Sequence, residues 1–393
     1  MTNYIILILC IIIVLAYIFD VTSKYSKIPG VILLIALGIA IQVASSSAGI
    51  RIPNLKPLLP VIGTLGLIMI VMEASLDIEL RRSKKSLIKK SVSSAFVLFA
   101  LFTAILSFVL VRFYGFPTEN ALLNAMPLGI ISSSIAIPSS AGLKSHDREF
   151  IVYESSFSDI FGIMFFDFIL LRQTAGGPGV FAFVTDGLLT VLIAVVSTAA
   201  LGYLLHKINY HISYVIIITS IILVYTIAKL LYLPALLLVL IFGLTLSNNR
   251  LLENSFVNRF VDFEKFRKDI SSFKKILSEL TFLVRSFFFI MFGYYTSVNN
   301  LFSVDNLLVA SGICVGMFII RWAFFKFVLQ MPAVPLTFFS PRGLITILLF
   351  LSIPEASKIS YISEEVVTLV ILISIVIMAL GNMLQKKEKS VPY

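Results

Sequence analysis

Residues 150–172 read FIVYESSFSDIFGIMFFDFILLR, and the interpretation of the whole chain starts from this stretch. It is long and apolar enough to cross a bilayer as a helix, yet it holds three carboxylates, Glu154, Asp159 and Asp167. An ionised side chain at the centre of a membrane helix costs roughly 2.5 to 3.5 kcal/mol on insertion scales, and such residues are typical of ion and proton pathways. The stretch therefore predicts a membrane helix that takes part in moving ions.

The rest of the chain has the composition of a multi-pass membrane protein. Of its 393 residues 59% are hydrophobic and only 13% are charged, against about 25% charged in soluble domains. Apolar stretches of about 20 residues predict an all-α protein with about thirteen transmembrane helices, near residues 3–22, 29–47, 57–77, 91–113, 119–141, 150–172, 180–205, 211–229, 231–247, 279–299, 305–328, 333–354 and 364–384. We predict one transmembrane domain over 1–385, followed by a short cytoplasmic tail, 386–393.

The net charge of +10 is explained by where the basic residues lie. If the N-terminus is outside, most of the 31 Lys and Arg residues fall in inner loops and in the tail, as the positive-inside rule requires. We therefore predict a cell (plasma or inner) membrane protein with a cytoplasmic C-terminus and no nucleic-acid partner. Residues 250–278 alternate apolar and charged side chains with helical spacing, which predicts an amphipathic helix along the inner membrane surface.

Several function classes are excluded by missing motifs. The sequence has no Gly-rich phosphate loop, so an ATP-driven pump is not indicated. No nucleophile stands beside a histidine, and the three histidines fall in predicted loops or at span ends. We expect neither an enzyme nor a bound cofactor.

Asp159 is the candidate for binding the transported ion, because it is predicted to lie deep in the membrane. It lies about 12 Å along the helix from the predicted inner end, near the middle of the bilayer. A carboxylate that is partly removed from water binds a proton more readily, and it holds either a proton or a metal cation but not both. That competition is enough to couple two opposite fluxes.

The other charges inside spans receive structural interpretations. Glu154 and Arg321 are predicted to pair and hold two helices in register. Asp77 and Arg285 lie near predicted cytoplasmic ends and are expected to reach the interface. Asp167, toward the outer end of its helix, is expected simply to contact water.

Two predicted helices are interrupted near their middle. One contains Ser132, Ser133 and Ser134 followed by Pro138, and the other contains Ser340-Pro341-Arg342-Gly343. The two spans are seven apart in order, so they run in opposite directions. Paired interruptions of this kind mark the substrate site in secondary transporters built from inverted repeats.

Four segments together resemble the monovalent cation:proton antiporter family, the sodium/proton exchangers. Residues 154–159 (ESSFSD) look like the family's Glu-Ser-x-x-Asn-Asp motif, and residues 72–78 (MEASLDI) look like the acidic segment of its third helix. Residues 287–293 (FFFIMFG) and 341–344 (PRGL) resemble two further family segments. The resemblance covers most of the chain.

The resemblance implies an inverted-repeat fold in which two broken helices cross around the ion-binding residue, here Asp159. It implies that Glu154 and Arg321 form the family's structural ion pair and that Ser132 to Ser134 lie at the crossing. It also implies a homodimer, with a dimerisation half over about 1–78 and 206–299 and a mobile core half over about 90–172 and 305–385.

This chain departs from the family pattern at two positions. Ser158 stands where the exchangers have Asn or a second Asp, and Ser133 stands where they have an acid. We predict that Asp159 binds Na+, Li+ or K+, with oxygen ligands from Ser158, Ser155 and the serines of the crossing. One carboxylate at the crossing predicts electroneutral exchange of one proton for one cation.

Two alternatives from other classes remain open at this stage. The chain could transport another solute, such as an organic anion, with Arg321 and Arg342 as binding groups. It could also be a membrane sensor or scaffold that keeps the fold without exchange.

Overall fold

The computed structural model describes residues 2–26, 29–47, 58–78, 84–175, 213–231, 233, 235–248, 263–296 and 298–383, with scattered positions between 185 and 200. Every regular element in this part of the chain is a helix, which confirms the all-α prediction. The predicted span near 180–205, residues 250–262 and the tail after 383 lie wholly or mostly outside the described residues.

The described helices follow the predicted spans closely. In chain order they are α1 (Thr2–Ser26), α2 (Gly30–Ser47), α3 (Leu58–Asp77), α4 (Lys85–Tyr114), α5 (Thr118–Gly129), α6 (Ser133–Ser139), α7 (Ser145–Ala175), α8 (Ser213–Leu230), α9 (Ala235–Ser247), α10 (Phe263–Tyr295), α11 (Val304–Ala323), α12 (Leu344–Leu351) and α13 (Glu364–Met383). By length and composition, six helical segments of the described chain can cross a membrane: Gly30–Ser47, Lys85–Tyr114, Thr118–Gly142, Ile270–Tyr295, Val304–Leu329 and Glu364–Met383.

One set of helices, which we call the first set, comprises α1, α2, α3, α8, α9 and α10. Helix α10 packs along both α2 and α3, and α9 packs between α3 and α8. Gly38 on α2 and Gly293 on α10 allow the first of these contacts, because a Cβ added at Gly38 would lie 2.8 Å from the backbone nitrogen of Tyr294. Small residues of this kind let membrane helices approach closely.

The second set comprises α4, α5, α6, α7, α11, α12 and α13. Helix α7 packs against α4, α5 and α6, while α11 packs against α13 and α4. The two sets meet where α3 contacts α12 and where α9 contacts α7. The acidic helix α7 therefore lies in the second set but reaches the boundary between the sets.

The structure corrects one prediction about the chain's inner surface. Residues 263–278 do not form a separate helix along the membrane, because α10 is continuous from Phe263 to Tyr295. Its 33 residues span about 50 Å, more than a bilayer core of about 30 Å. The reason is that no proline or glycine interrupts residues 263–292, and Ile270, Phe273 and Leu277 are buried in the protein.

Candidate functional site

Two interrupted helices cross at the centre of the second set. Helix α5 ends at Gly129 and α6 begins at Ser133, and the connection includes Ile130 and Ser132 in extended conformation. The second interruption ends at Gly343, and α12 begins at the next residue. The backbones meet directly, since the amide of Ser132 donates to the carbonyl of Pro341 over 2.8 Å.

Gly343 makes this crossing possible. A Cβ added there would lie 2.5 Å from the Ser132 hydroxyl oxygen and 2.8 Å from a side-chain carbon of Ile135. Pro341 supplies the carbonyl that accepts from Ser132. Pro138, by contrast, was predicted to be part of the interruption but lies inside α6, six residues beyond Ser132.

Asp159 faces this crossing from α7. Its side chain is only 3% exposed. Its Oδ2 accepts a hydrogen bond from the Ser133 hydroxyl over 2.5 Å, whereas its Oδ1 is buried and has no hydrogen-bond partner among the described residues. Carboxylate, hydroxyl and carbonyl oxygens are the ligands that hard cations take. The free oxygen is therefore a place where a proton or an alkali cation can bind.

The other serines predicted at the site have different partners. Ser158 Oγ accepts from the backbone amide of Ile131 over 3.0 Å, so it satisfies a donor that the interruption of the helix leaves unpaired. Ser155 donates to the Ile151 carbonyl of its own helix over 2.7 Å. Ser132 and Ser134 hydrogen-bond to each other over 3.0 Å. Of the predicted serine ligands, Ser133 is the one that hydrogen-bonds to the Asp159 carboxylate.

Glu154 and Arg321 form a buried ion pair between α7 and α11. Two nitrogens of the guanidinium donate to the two carboxylate oxygens over 2.9 and 2.6 Å, and Ser94 donates to one of the same oxygens. Both residues are 1% exposed. Arg321 also donates to the Leu336 carbonyl over 3.0 Å and lies over the ring of Phe325. These contacts leave little of the pair available for a solute.

Arg342 binds the broken end of α5, a role that the sequence did not reveal. Its guanidinium donates to the carbonyls of Leu128 and Gly129 and to the Ser340 side chain, over 2.6, 3.4 and 2.9 Å. The last carbonyls of a helix have no partner within the helix and carry partial negative charge. A cation there compensates for ending α5 inside the protein. The predicted interruption implied that carbonyls there would need donors, but not that Arg342 would supply them.

Arg285 also reaches the crossing, which corrects its predicted position at the membrane surface. One guanidinium nitrogen donates to the Ser134 carbonyl over 3.1 Å. In a regular helix that carbonyl would accept from residue 138, but residue 138 is a proline and has no N–H. Arg285 on α10 therefore supplies the donor that Pro138 lacks. The same hydrogen bond joins the first set of helices to the second.

Comparison with known proteins points to one family. The chain matches the family model described as "Sodium/hydrogen exchanger, transmembrane" over residues 10–386. A comparison with curated proteins gives no match. Two solved structures of the sodium proton antiporter MjNhaP1 from Methanocaldococcus jannaschii have a similar fold. The structure at pH 8 has a TM-score of 0.69 at 17% identity, covering 96% of this chain and 98% of that chain. The structure from the electron-microscopy map has a TM-score of 0.70 at 17% identity, covering 98% of this chain and 95% of that chain.

Proposed function

The chain belongs to the sodium/hydrogen exchanger family, and from this membership and the geometry around Asp159 we propose that it exchanges protons for a monovalent cation across a membrane. The observation that carries the proposal is the unpartnered, buried Oδ1 of Asp159 beside two crossing, interrupted helices. A proton and an alkali cation compete for that oxygen, so one site loads alternately with each. The family and the fold are those of a transporter rather than of an enzyme.

The exchange is electroneutral, with one proton for one Na+, Li+ or K+ ion. The support is that the Asp159 carboxylate meets the crossing through the hydroxyl of Ser133, a residue that carries no charge. Bound H+ and a bound monovalent cation then leave the site with the same net charge. A membrane potential imposed without a pH gradient is expected to drive no net transport.

Alternating access follows from motion of the second set against the first. In this proposal residues 90–172 and 305–385 form the mobile core half, and residues 1–78 and 206–299 form the dimerisation half of a homodimer. The contacts support the division, because the helices of each set pack mainly with one another and the sets meet at few helices. The protein lies in the plasma or inner membrane, with its N-terminus outside and its C-terminus in the cytoplasm.

The contacts of the two buried arginines argue against an organic-anion transporter. Arg321 donates to both oxygens of Glu154 and to a backbone carbonyl, and Arg342 donates to the carbonyls at the end of α5. A carboxylate solute would have to displace these acceptors. Neither guanidinium is therefore offered to an anionic substrate.

The test is gradient dissipation in proteoliposomes. We expect Na+, Li+ or K+ added to vesicles with an acidic interior to collapse the pH gradient with wild-type protein. Asp159→Asn should abolish the response, while Asp305→Asn, which changes an exposed aspartate of the second set, should retain it. Equal rates for the wild type and Asp159→Asn, or no response of the wild type to any of the three cations, would overturn the proposal.

A further inference from the structure

A cavity of about 380 Å³ separates the two sets of helices on one side of the crossing. It is lined by α3, α8 and α9 from the first set and by α7 and α12 from the second. Most of the lining is apolar, but Thr64, Asp167, Tyr225, Lys229 and Ser352 place polar groups along it. At about 30 Å³ for each water, the volume is large enough for a cation with its hydration shell.

Asp167 lines this cavity and lies on the same helix as Asp159. It follows Asp159 by eight residues on α7, which corresponds to about 12 Å along the helix axis. It is half-buried and lines the cavity, so it does not merely face bulk water at the helix end, as expected from the sequence. The cavity therefore lies on the Ala175 side of Asp159, the side proposed above to be external.

Lys229 faces Asp167 across the same space without binding it. Among the described residues of the lining, these two carry a charge. They interact electrostatically, but the structure has no hydrogen bond or ion pair between them, and the Lys229 ammonium lies 5.7 Å from the centre of the Tyr225 ring. Lys229 is exposed and belongs to the first set, whereas Asp167 belongs to the second. The carboxylate thus faces a roomy cavity with a cation tethered nearby.

We propose that the cavity is a second, low-affinity cation site, at which Asp167 holds a hydrated alkali cation on its way to Asp159 and Lys229 competes as a tethered cation. Oxygen atoms of Thr64, Tyr225 and Ser352 complete the polar lining. The inference rests on the proposed function for the direction of travel, but the binding at Asp167 is separable from it. Lys229 offsets part of the carboxylate charge across the cavity, and an ion bound at Asp167 competes with this longer-range interaction.

The electrostatic interaction between Asp167 and a cation bound at Asp159 sets how strongly substitutions in the cavity should change the apparent KM. A unit charge about 12 Å from Asp159 changes cation occupancy there by up to about tenfold at an effective dielectric constant of about 20, and Lys229 offsets part of this. We expect Asp167→Asn to raise the apparent KM for Na+ about fivefold, with a much smaller change in maximal rate. Lys229→Gln should lower the apparent KM about threefold. Both effects should shrink as N-methyl-D-glucamine chloride is added, since salt screens them.

A binding measurement tests the site independently of transport. Purified protein is titrated with Na+ at constant ionic strength, with N-methyl-D-glucamine as the replacement cation, and thermal stabilisation is recorded. We expect Asp159→Asn to keep a residual Na+-dependent stabilisation, and the double variant Asp159→Asn/Asp167→Asn to lose it. The exposed Asp305→Asn change in the same background is the matched control and should keep it.

The possible outcomes distinguish failure of the proposed exchange function from failure of the second cation site. If the wild type exchanges no alkali cation but the Asp159→Asn protein retains Asp167-dependent stabilisation, the proposed function fails and the second site stands. If exchange is normal and neither the apparent KM nor the residual stabilisation responds to Asp167→Asn, the second site is overturned. If the Asp167→Asn protein is unstable, Lys229→Gln provides the test instead. An unchanged or raised apparent KM for Na+ in Lys229→Gln would contradict the proposal.

Discussion

Glu154 and Asp159 lie five residues apart on the same helix and are buried to nearly the same extent, 1% and 3% exposed, but their partners differ completely. Glu154 receives hydrogen bonds on both carboxylate oxygens from Arg321 and a further one from Ser94. Asp159 receives the hydroxyl of Ser133 on Oδ2, and within the described part of the chain its Oδ1 has no hydrogen-bond partner. A buried carboxylate with a full set of donors is fixed in place, whereas one with an open oxygen has room for an exchangeable ion.

We therefore propose that the two carboxylates differ in role, although they lie on one helix: Glu154 is structural and Asp159 takes part in transport. A buried ion pair contributes little net stability over an apolar pair, but removing one partner leaves an uncompensated charge. A carboxylate with one unpaired oxygen is costly as it stands, and protonation or a bound cation relieves that cost. Substitutions at the two positions should therefore fail in different ways.

The largest expected effect is the loss of exchange in Asp159→Asn. The amide cannot carry the negative charge that binds the cation, nor accept the proton, so the exchange rate should fall to background. Because the substitution removes a poorly compensated buried charge, the melting temperature in detergent should stay the same or rise. A folded Asp159→Asn protein that still exchanges would break the distinction between the two carboxylates.

The next largest effect is the loss of folded protein in Arg321→Ala. Removing the guanidinium leaves Glu154 buried and unpaired, which should cost about 3 to 5 kcal/mol of stability. The measurement is thermal unfolding followed by size-exclusion chromatography. The double variant Arg321→Met/Glu154→Met is the control and should recover much of the loss, since neither charge remains. If Arg321→Ala is as stable as the wild type but inactive, the pair belongs to transport rather than to the scaffold.

A third prediction compares substitutions of two serines near Asp159, Ser133 and Ser158. Ser133→Ala removes the hydrogen bond to Asp159 and should weaken the apparent affinity for the cation by about tenfold or more, because a hydrogen bond to a charged group is worth at least about 1.5 kcal/mol. Ser158→Ala removes the acceptor for the Ile131 amide and should lower stability by about 1 kcal/mol or more, with a smaller change in affinity. Titration of exchange with Na+ and thermal unfolding of both proteins distinguish the two roles, and the reverse assignment would show that Ser158 is the cation ligand.

The sequence predicted much of this arrangement because membrane burial makes charges conspicuous. Apolar length located the helices, and the cost of a charge in lipid singled out Glu154, Asp159 and Arg321 before any contact was known. Side-chain direction was not predictable to the same degree. The three adjacent serines look alike in the sequence, and only the helix start at Ser133 decides which hydroxyl reaches Asp159.

The hydrogen-bond partners of Arg342 and Arg285 were not predicted, for a related reason. Their partners are backbone carbonyls released where a helix stops or contains proline, and such partners have no sequence signature of their own. The continuous α10 was missed because charged residues between Phe263 and Leu277 resemble a surface helix when the packing partner is unknown. In each case a non-local contact decided the outcome.

The smallest expected effect concerns the contact between the two sets of helices at Ser134. Arg285→Gln should change the exchange rate only a few-fold, because it removes one hydrogen bond that motion of the second set would break and remake. Pro138→Ala restores an N–H that can bond the Ser134 carbonyl within α6, so the stability cost of Arg285→Gln should be smaller in that background by about 1 kcal/mol. Thermal unfolding of the four proteins of this cycle gives the coupling. Additive costs would mean that Arg285 acts through something other than the carbonyl that Pro138 leaves unpaired.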